Sequence, residues 1–344
     1  MVISLFVTVV FLCLLFYFVT YPYKFRFKRK LKRVLSYEEV KYNKGKGLEL
    51  NDISKEEVND NLKIQIKNIE SVHVKESMRF IIVTPKKKLD LKDLPCLVLL
   101  HGIRDSSEDW LERGKLLENY LKLKKNREIG DMIFILPDSG YNGESWYTNF
   151  YEDNNYKYED YIMDELYKEI RKITPNGKLG IAGFSMGGYA AYKIGLRHLK
   201  HFQVVGSFSG AVSLIRMSVN RRVMRIMKYV YIPKILFNDV DKSNFIKIFS
   251  PWGWRILKQD PYSIIKIMEE KEFKGKKFYL SVGSEDKKPY LMFQQWIDIV
   301  GRLKKYNVDF QGYIYKNEYH TWEFISKDIS CFLKYFNKNI NNID

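Results

Sequence analysis

Five short apolar runs constrain this chain most. They are CLVLL (96–100), MIFILP (132–137), LGIAG (179–183), VVGSFSG (204–210) and FYLSVG (278–283). Each is continuous rather than alternating, which is how strands covered on both faces read. Between the runs, apolar residues return at helical spacing: Trp110, Leu111, Leu116, Leu117 and Leu121, then Tyr161, Ile162, Leu166 and Ile170. Strands alternating with helices predict an α/β fold, a mostly parallel central sheet with helices on both faces. Two earlier stretches, Leu62 to Ile69 and MRFIIVT (78–84), have no helix between them and predict an antiparallel edge. A helix near 288–305, the strand FQGYIY (310–315) and a helix after His320 complete the pattern. The rhythm breaks over residues 211–265, rich in Arg, Lys, Met and aromatics, which predicts an inserted cap.

Where the third run ends, the sequence is Gly183-Phe184-Ser185-Met186-Gly187-Gly188. This is a G-x-S-x-G match at a strand-to-helix turn, the context a nucleophile elbow requires. The glycines leave room for a turn so sharp that side chains would collide across it. A nearby segment, Gly206-Ser207-Phe208-Ser209-Gly210, has the same glycine spacing but phenylalanine at its centre, and cannot serve.

A serine nucleophile needs a base, and the base needs an orienting acid. On this architecture the chain order is serine, acid, histidine. His320 is the histidine that follows Ser185 at a suitable distance. His198 and His201 fall on or just after the helix behind the elbow, pointing away from the serine; they read as solvated helix-end residues rather than a metal pair. The acid belongs in the loop Val282-Gly283-Ser284-Glu285-Asp286, where Asp286 is the first choice and Glu285 the second. Two backbone N–H groups must face the oxyanion. Met186, after the nucleophile, supplies one; Ile103, in Leu99-Leu100-His101-Gly102-Ile103, supplies the other. His101 is expected to support that loop through hydrogen bonds.

On these residues the chain from about 60 to 338 resembles the esterase D-type branch of the α/β-hydrolases. That branch includes feruloyl and acetyl-xylan esterases, S-formylglutathione hydrolases and mycolyltransferases. The matching segments are LLHGIRDSSEDW (99–110), LPDSGYNGESWYTN (136–149), GFSMGGYAA (183–191), VGSEDKKP (282–289) and EYHTWEFI (318–325). The Pro-Asp followed by Trp-Tyr-x-Asn is more specific than the elbow. The resemblance implies hydrolysis of acyl esters through an acyl-enzyme, without cofactor or metal. It implies Ser185, Asp286 and His320 as the triad, and Ile103 and Met186 as the oxyanion donors. It also suggests Trp146, Tyr147 and Trp322 as pocket walls. Acyl transfer to an alcohol acceptor, or an inactive membrane-tethered scaffold, are the alternative readings.

The resemblance leaves residues 1–60 uncovered. Residues 1–20 carry no charged side chain, and about twenty helical residues span a hydrocarbon core of about 30 Å. Lys24, Arg26, Lys28, Arg29, Lys30, Lys32 and Arg33 follow, with Tyr17, Tyr21 and Tyr23 at the junction. The expectation is a single-pass membrane anchor over 1–22, a basic juxtamembrane tether over 23–60 and a hydrolase domain over 61–340, with the catalytic domain on the cytoplasmic side. A cleaved signal would instead place its basic residues before the apolar run. The net charge of +17 raises nucleic acid as a partner, but no nucleic-acid-binding signature accompanies it. The expected partners are therefore a small-molecule or lipid-like ester and the membrane, with oligomeric state open. Cys13, Cys96 and Cys331 are too scattered for a disulfide framework. Within the cap, Arg216, Arg221, Arg222, Arg225 and Lys228 alternate with Val223, Met224, Ile226, Met227 and Val230, which fits either a solvated cap helix or a basic helix on an anionic membrane face.

Overall fold

The computed structural model describes residues 2–20, 23–43, 47–87, 89–219, 221–237 and 241–341. Among the described residues nine strands form one sheet: β1 (Val40–Asn43), β2 (Leu62–Glu70), β3 (Ser77–Pro85), β4 (Cys96–Leu100), β5 (Ile133–Pro137), β6 (Leu179–Phe184), β7 (Phe202–Phe208), β8 (Lys277–Gly283) and β9 (Phe310–Tyr315). Their order is β1-β9-β8-β7-β6-β4-β5-β3-β2. β2 and β3 pair antiparallel with each other, and β3 pairs antiparallel with β5; the remaining pairs are parallel. The five apolar runs became β4 to β8, and β4, β5 and β6 are buried along their whole length. Two clusters of buried side chains, one on each face, hold the helices against the sheet.

The N-terminal region departs from expectation. Among the described residues no helix is long and apolar enough to cross a membrane, so the expected membrane-spanning helix over 1–22 is not borne out. Helix α1 (Val2–Thr20) precedes α2 (Tyr23–Val34). The segment expected as a tether is built into the domain. β1 extends the sheet in parallel with β9, Val40 opposite Gly312. α2 packs along the helix Met292–Lys305: Phe27 meets Phe293 edge-on at 5.9 Å, and Lys30 Nζ lies 2.8 Å from Asp298. Val34 is buried. A four-residue edge strand carries too little periodicity to be seen in sequence, and α2 looks like a tether because seven of its twelve residues are basic.

The cap is inserted between β7 and β8, at the C-terminal edge of the parallel strands. Its helices are Leu214–Ser218, Arg221–Ile226, Lys242–Phe249, Gly253–Gln259 and Pro261–Ile267.

β8 and β9 lead into the loops that carry Asp286 and His320, and a buried carboxyl ties them together. Asp328 Oδ1 accepts hydrogen bonds from Tyr279 OH at 2.5 Å and Tyr315 OH at 2.6 Å. Burial, only partly offset by hydrogen bonds from Ser281, Tyr279 and Tyr315, raises its carboxyl to about 6. Between about pH 4 and 6 the folded chain then keeps a proton that the unfolded chain loses, so this group's contribution falls as pH rises through that window and is flat above it. The difference corresponds to about 3 kcal/mol. Asp328→Asn is expected to remove this fall. Urea midpoints at pH 4 and pH 7 should show the variant gaining on the wild type with rising pH; equal differences at both would contradict the assignment.

Candidate active site

β6 ends in the elbow. Ser185 adopts φ 55°, ψ −114°, a backbone region that costs about 1–3 kcal/mol for a residue other than glycine. Its surroundings hold it there: Ser185 N–H donates to Phe208 O at 3.0 Å, and Ser185 O accepts from Tyr189 N and Ala211 N. The glycines are obligatory. A Cβ on Gly183 would lie 2.4 Å from Gly187 backbone, and one on Gly187 2.1 Å from Leu100 O. The helix Met186–Arg197 starts immediately after the serine.

Three side chains from separate loops meet here. Ser185 Oγ lies 2.8 Å from His320 Nε2, and His320 Nδ1 lies 2.6 Å from Asp286 Oδ2. Asp286 is nearly buried; its backbone O accepts from Phe293 N–H at 2.8 Å, which pins the acid to the start of the helix Met292–Lys305. Glu285 turns away to Lys287 and Ser284, and the Lys287 ammonium holds its carboxyl below the ordinary range. The Phe184 ring lies 4.7 Å from the His320 ring. With Nδ1–H donated to Asp286, Nε2 is free to accept the serine proton.

The loop after β4 reaches the same point. A Cβ on Gly102 would come within 3.5 Å of Ser185 Cβ. Ile103 follows in that loop, and Met186 occupies the first helical position, where no preceding carbonyl reaches its N–H. His101 is buried and braces the loop: Nδ1–H donates to Gly102 O at 2.8 Å, and Nε2 accepts from Ser139 N–H at 2.9 Å. Burial lowers the His101 pKa, which keeps the neutral ring this pattern needs.

The family model described as "Putative esterase" matches residues 71–325. The chain belongs to this esterase family. An acetyl esterase of Caldicellulosiruptor saccharolyticus is 26% identical over 261 residues, 74% of this chain and 87% of the relative. An S-formylglutathione hydrolase from Agrobacterium tumefaciens aligns with TM-score 0.64 and 17% identity, over 82% of this chain and 96% of the other. The fluorophosphonate-binding serine hydrolase F of Staphylococcus aureus aligns with TM-score 0.59 and 19% identity, over 82% and 100%. The two solved structures share the α/β-hydrolase-like fold; the family and its relatives support ester hydrolysis.

The suggested pocket walls separate in the esterase. Trp146 is half-buried between Tyr189 (ring centroids 5.5 Å) and Phe249 (5.6 Å), beside the elbow helix. Trp322 is 3% exposed; it packs edge-on to Trp110 and Phe184 beneath His320 and offers no open face. Tyr147 is 1% exposed, and its hydroxyl accepts the His101 N–H at 3.1 Å. Tyr147 and Trp322 are therefore supports rather than walls. Sequence alone cannot separate the cases, because an aromatic next to a catalytic loop reads the same whether its face is open or covered.

The sequence reading missed Lys193. It is wholly buried on the elbow helix and donates to Tyr147 O at 3.0 Å and Thr148 Oγ1 at 2.6 Å, while pairing with Glu159 at 3.0 Å. Burial lowers its ammonium to about 8 against the pull of Glu159. Burial opposes ionisation of Glu159, but Lys193, His198 and Arg197 outweigh it and hold that carboxyl well below the usual range. The chain of contacts runs from Glu159 through Lys193 and Tyr147 to the His101 backbone, joining the elbow helix to the loop after β4. Lys193→Met should cost about 3 kcal/mol of stability, since it strands buried acceptors. It should also lower kcat with little change in KM as the loop loosens. Urea unfolding and steady-state kinetics check both; a loss below about 1 kcal/mol would contradict the role.

His198 lies 3.4 Å from Glu159, and His201 bonds Tyr167 OH at 3.0 Å; each is engaged by a neighbouring side chain rather than pointing at the other.

A cavity of about 860 Å³ opens beside the loop after β4. Tyr141, Tyr151, Tyr231 and Trp252 line it together with Glu144 and Lys247. Glu144 ties it to the loop by pairing with Arg104, whose N–H donates to Gly143 O at 2.9 Å. Cap and core thus share its walls.

Proposed function

We propose that this esterase hydrolyses a carboxylic ester through an acyl-enzyme on Ser185. The observation that carries this is the unbroken hydrogen-bonded line Ser185–His320–Asp286 at a strained elbow. Ser185 Oγ attacks the ester carbonyl as His320 Nε2 takes its proton. The Ile103 and Met186 N–H groups receive the oxyanion; one such donor is worth about 3 kcal/mol. The tetrahedral intermediate collapses, His320 passes the proton to the departing alkoxide, and the alcohol leaves. Water then repeats the sequence on the acyl group, with His320 as base and then acid. Asp286 holds the ring and stabilises the imidazolium. Trp146, half-buried against Tyr189 of the elbow helix, is assigned to bound the acyl group, and the tyrosine-lined cavity suits a polar alcohol moiety.

The test is partitioning. Acetate esters with different phenol leaving groups are hydrolysed in the presence of methanol, and methyl acetate is measured against acetate. A common acyl-enzyme gives one ratio for every leaving group. A ratio that follows the leaving group would sink the covalent mechanism.

We also place the chain at the membrane with its catalytic domain on the cytoplasmic side. The seven basic residues of α2, which an anionic cytoplasmic leaflet attracts without any spanning helix, support this. Protease treatment of sealed vesicles, which should leave an inward-facing domain intact, tests it.

A further inference from the structure

The cap presents an unusual surface. Ile226 and Tyr229 are each 74% exposed and Ile235 84%, with Val230, Tyr231 and Leu236 exposed beside them. Arg225 and Lys234 are exposed in the same stretch. Between residues 214 and 237 the sequence has six Lys or Arg and no Asp or Glu. Exposed aliphatics set in a purely cationic segment are the composition of an interfacial surface.

Its place in the fold is as informative. Phe293, bonded to the Asp286 carbonyl, marks the catalytic end of the helix Met292–Lys305. Phe27 packs against Phe293, and Lys30 pairs with Asp298 further along. Helix α2 therefore runs alongside that helix in the same direction, and the chain enters the domain at the catalytic edge of the sheet. Asp298 is also bound by Arg216 Nε at 2.7 Å, so the base of the cap and α2 meet on one carboxylate. Helix α2 has seven basic residues of twelve and no acidic one, and Lys28, Arg29, Lys32 and Arg33 are exposed. Tyr231 and Lys234 belong both to the exposed cap segment and to the wall of the cavity beside the loop after β4.

We infer that this edge docks on an anionic lipid bilayer, cap residues 225–236 entering the interface with α2 beside them. Charge complementarity selects the occupant. A second copy meeting the segment about a twofold axis would set cation against cation. A nucleic acid would leave Ile226, Val230, Ile235 and Leu236 without apolar partners. An anionic bilayer satisfies both the cations and the aliphatics, each basic side chain near its surface adding attraction. Docking needs no spanning helix. Resting on the esterase reading, it also implies that the ester is membrane-borne and enters the cavity from the interface.

Hydrogen exchange of the full chain tests the docking directly. Mixed phosphatidylcholine–phosphatidylglycerol vesicles should slow the amides of 225–236 by about tenfold relative to phosphatidylcholine alone. Ile226→Asp with Ile235→Asp should abolish that protection. The same variant should keep turnover of a water-soluble acetate ester, while turnover of a long-chain ester embedded in the mixed vesicles falls by about tenfold or more. Identical exchange on both vesicles, with or without protection of α1, would overturn the inference. So would protection that follows self-association, or that a DNA duplex gives and vesicles do not. If the soluble ester is not turned over at all, the esterase reading fails, and the exchange result still decides the docking.

Discussion

Ser185→Ala is expected to lower ester turnover by about 10⁵–10⁶-fold, the scale on which nucleophile loss disables serine hydrolases. The fold should survive. Ser185 is nearly buried, but its backbone strain is imposed by Phe208, Tyr189 and Ala211, and these bonds use main-chain atoms that alanine keeps. Removing Oγ takes away one hydrogen bond, to His320. Unfolding midpoints within about 1 kcal/mol of wild type are therefore expected beside the kinetic loss. Residual activity should come from the Ile103 and Met186 donors and from binding alone. A variant that keeps more than about a hundredth of the activity would mean that another group does the chemistry.

Asp286→Asn should cost about 10⁴-fold in kcat. Asp286 Oδ2 accepts the His320 Nδ1 proton at 2.6 Å, and this fixes the tautomer that leaves Nε2 as the acceptor. An asparagine amide turned toward Nδ1 would favour the opposite tautomer, with Nε2–H pointing at Ser185 and no base for its proton. KM should change little, because Asp286 lies behind the imidazole rather than in the cavity. Glu285→Gln is the matched control. Its carboxylate is taken by Lys287 and Ser284, and the substitution should leave kcat within about threefold. Equal losses in the two variants would reassign the acid.

The sheet was legible because its central strands are buried on both faces and so read as continuous apolar runs. The elbow was legible because the turn tolerates only glycine at 183 and 187, where the nearest backbone atoms would be 2.4 Å or less from a Cβ. Other features hid for physical reasons. β1 is four residues at an edge and is defined by its pairing with β9 rather than by its own pattern. Lys193 looks in sequence like any helix lysine, and only the fold shows Glu159 closing around it. Trp146, Tyr147 and Trp322 read alike, yet one is half-open and two are covered. The basic run of α2 read as a juxtamembrane tether because Phe27, Leu31 and Val34 become a packing stripe only once the helix Met292–Lys305 is beside them.

Activation of Ser185 as a nucleophile is read by intact-protein mass spectrometry after treatment with a fluorophosphonate. A single phosphonyl adduct is expected on the wild type, mapped to the peptide that contains Ser185 and absent from both Ser185→Ala and His320→Ala. A folded protein that takes up no adduct, or takes it up on another residue, would mean that Ser185 is not the activated nucleophile.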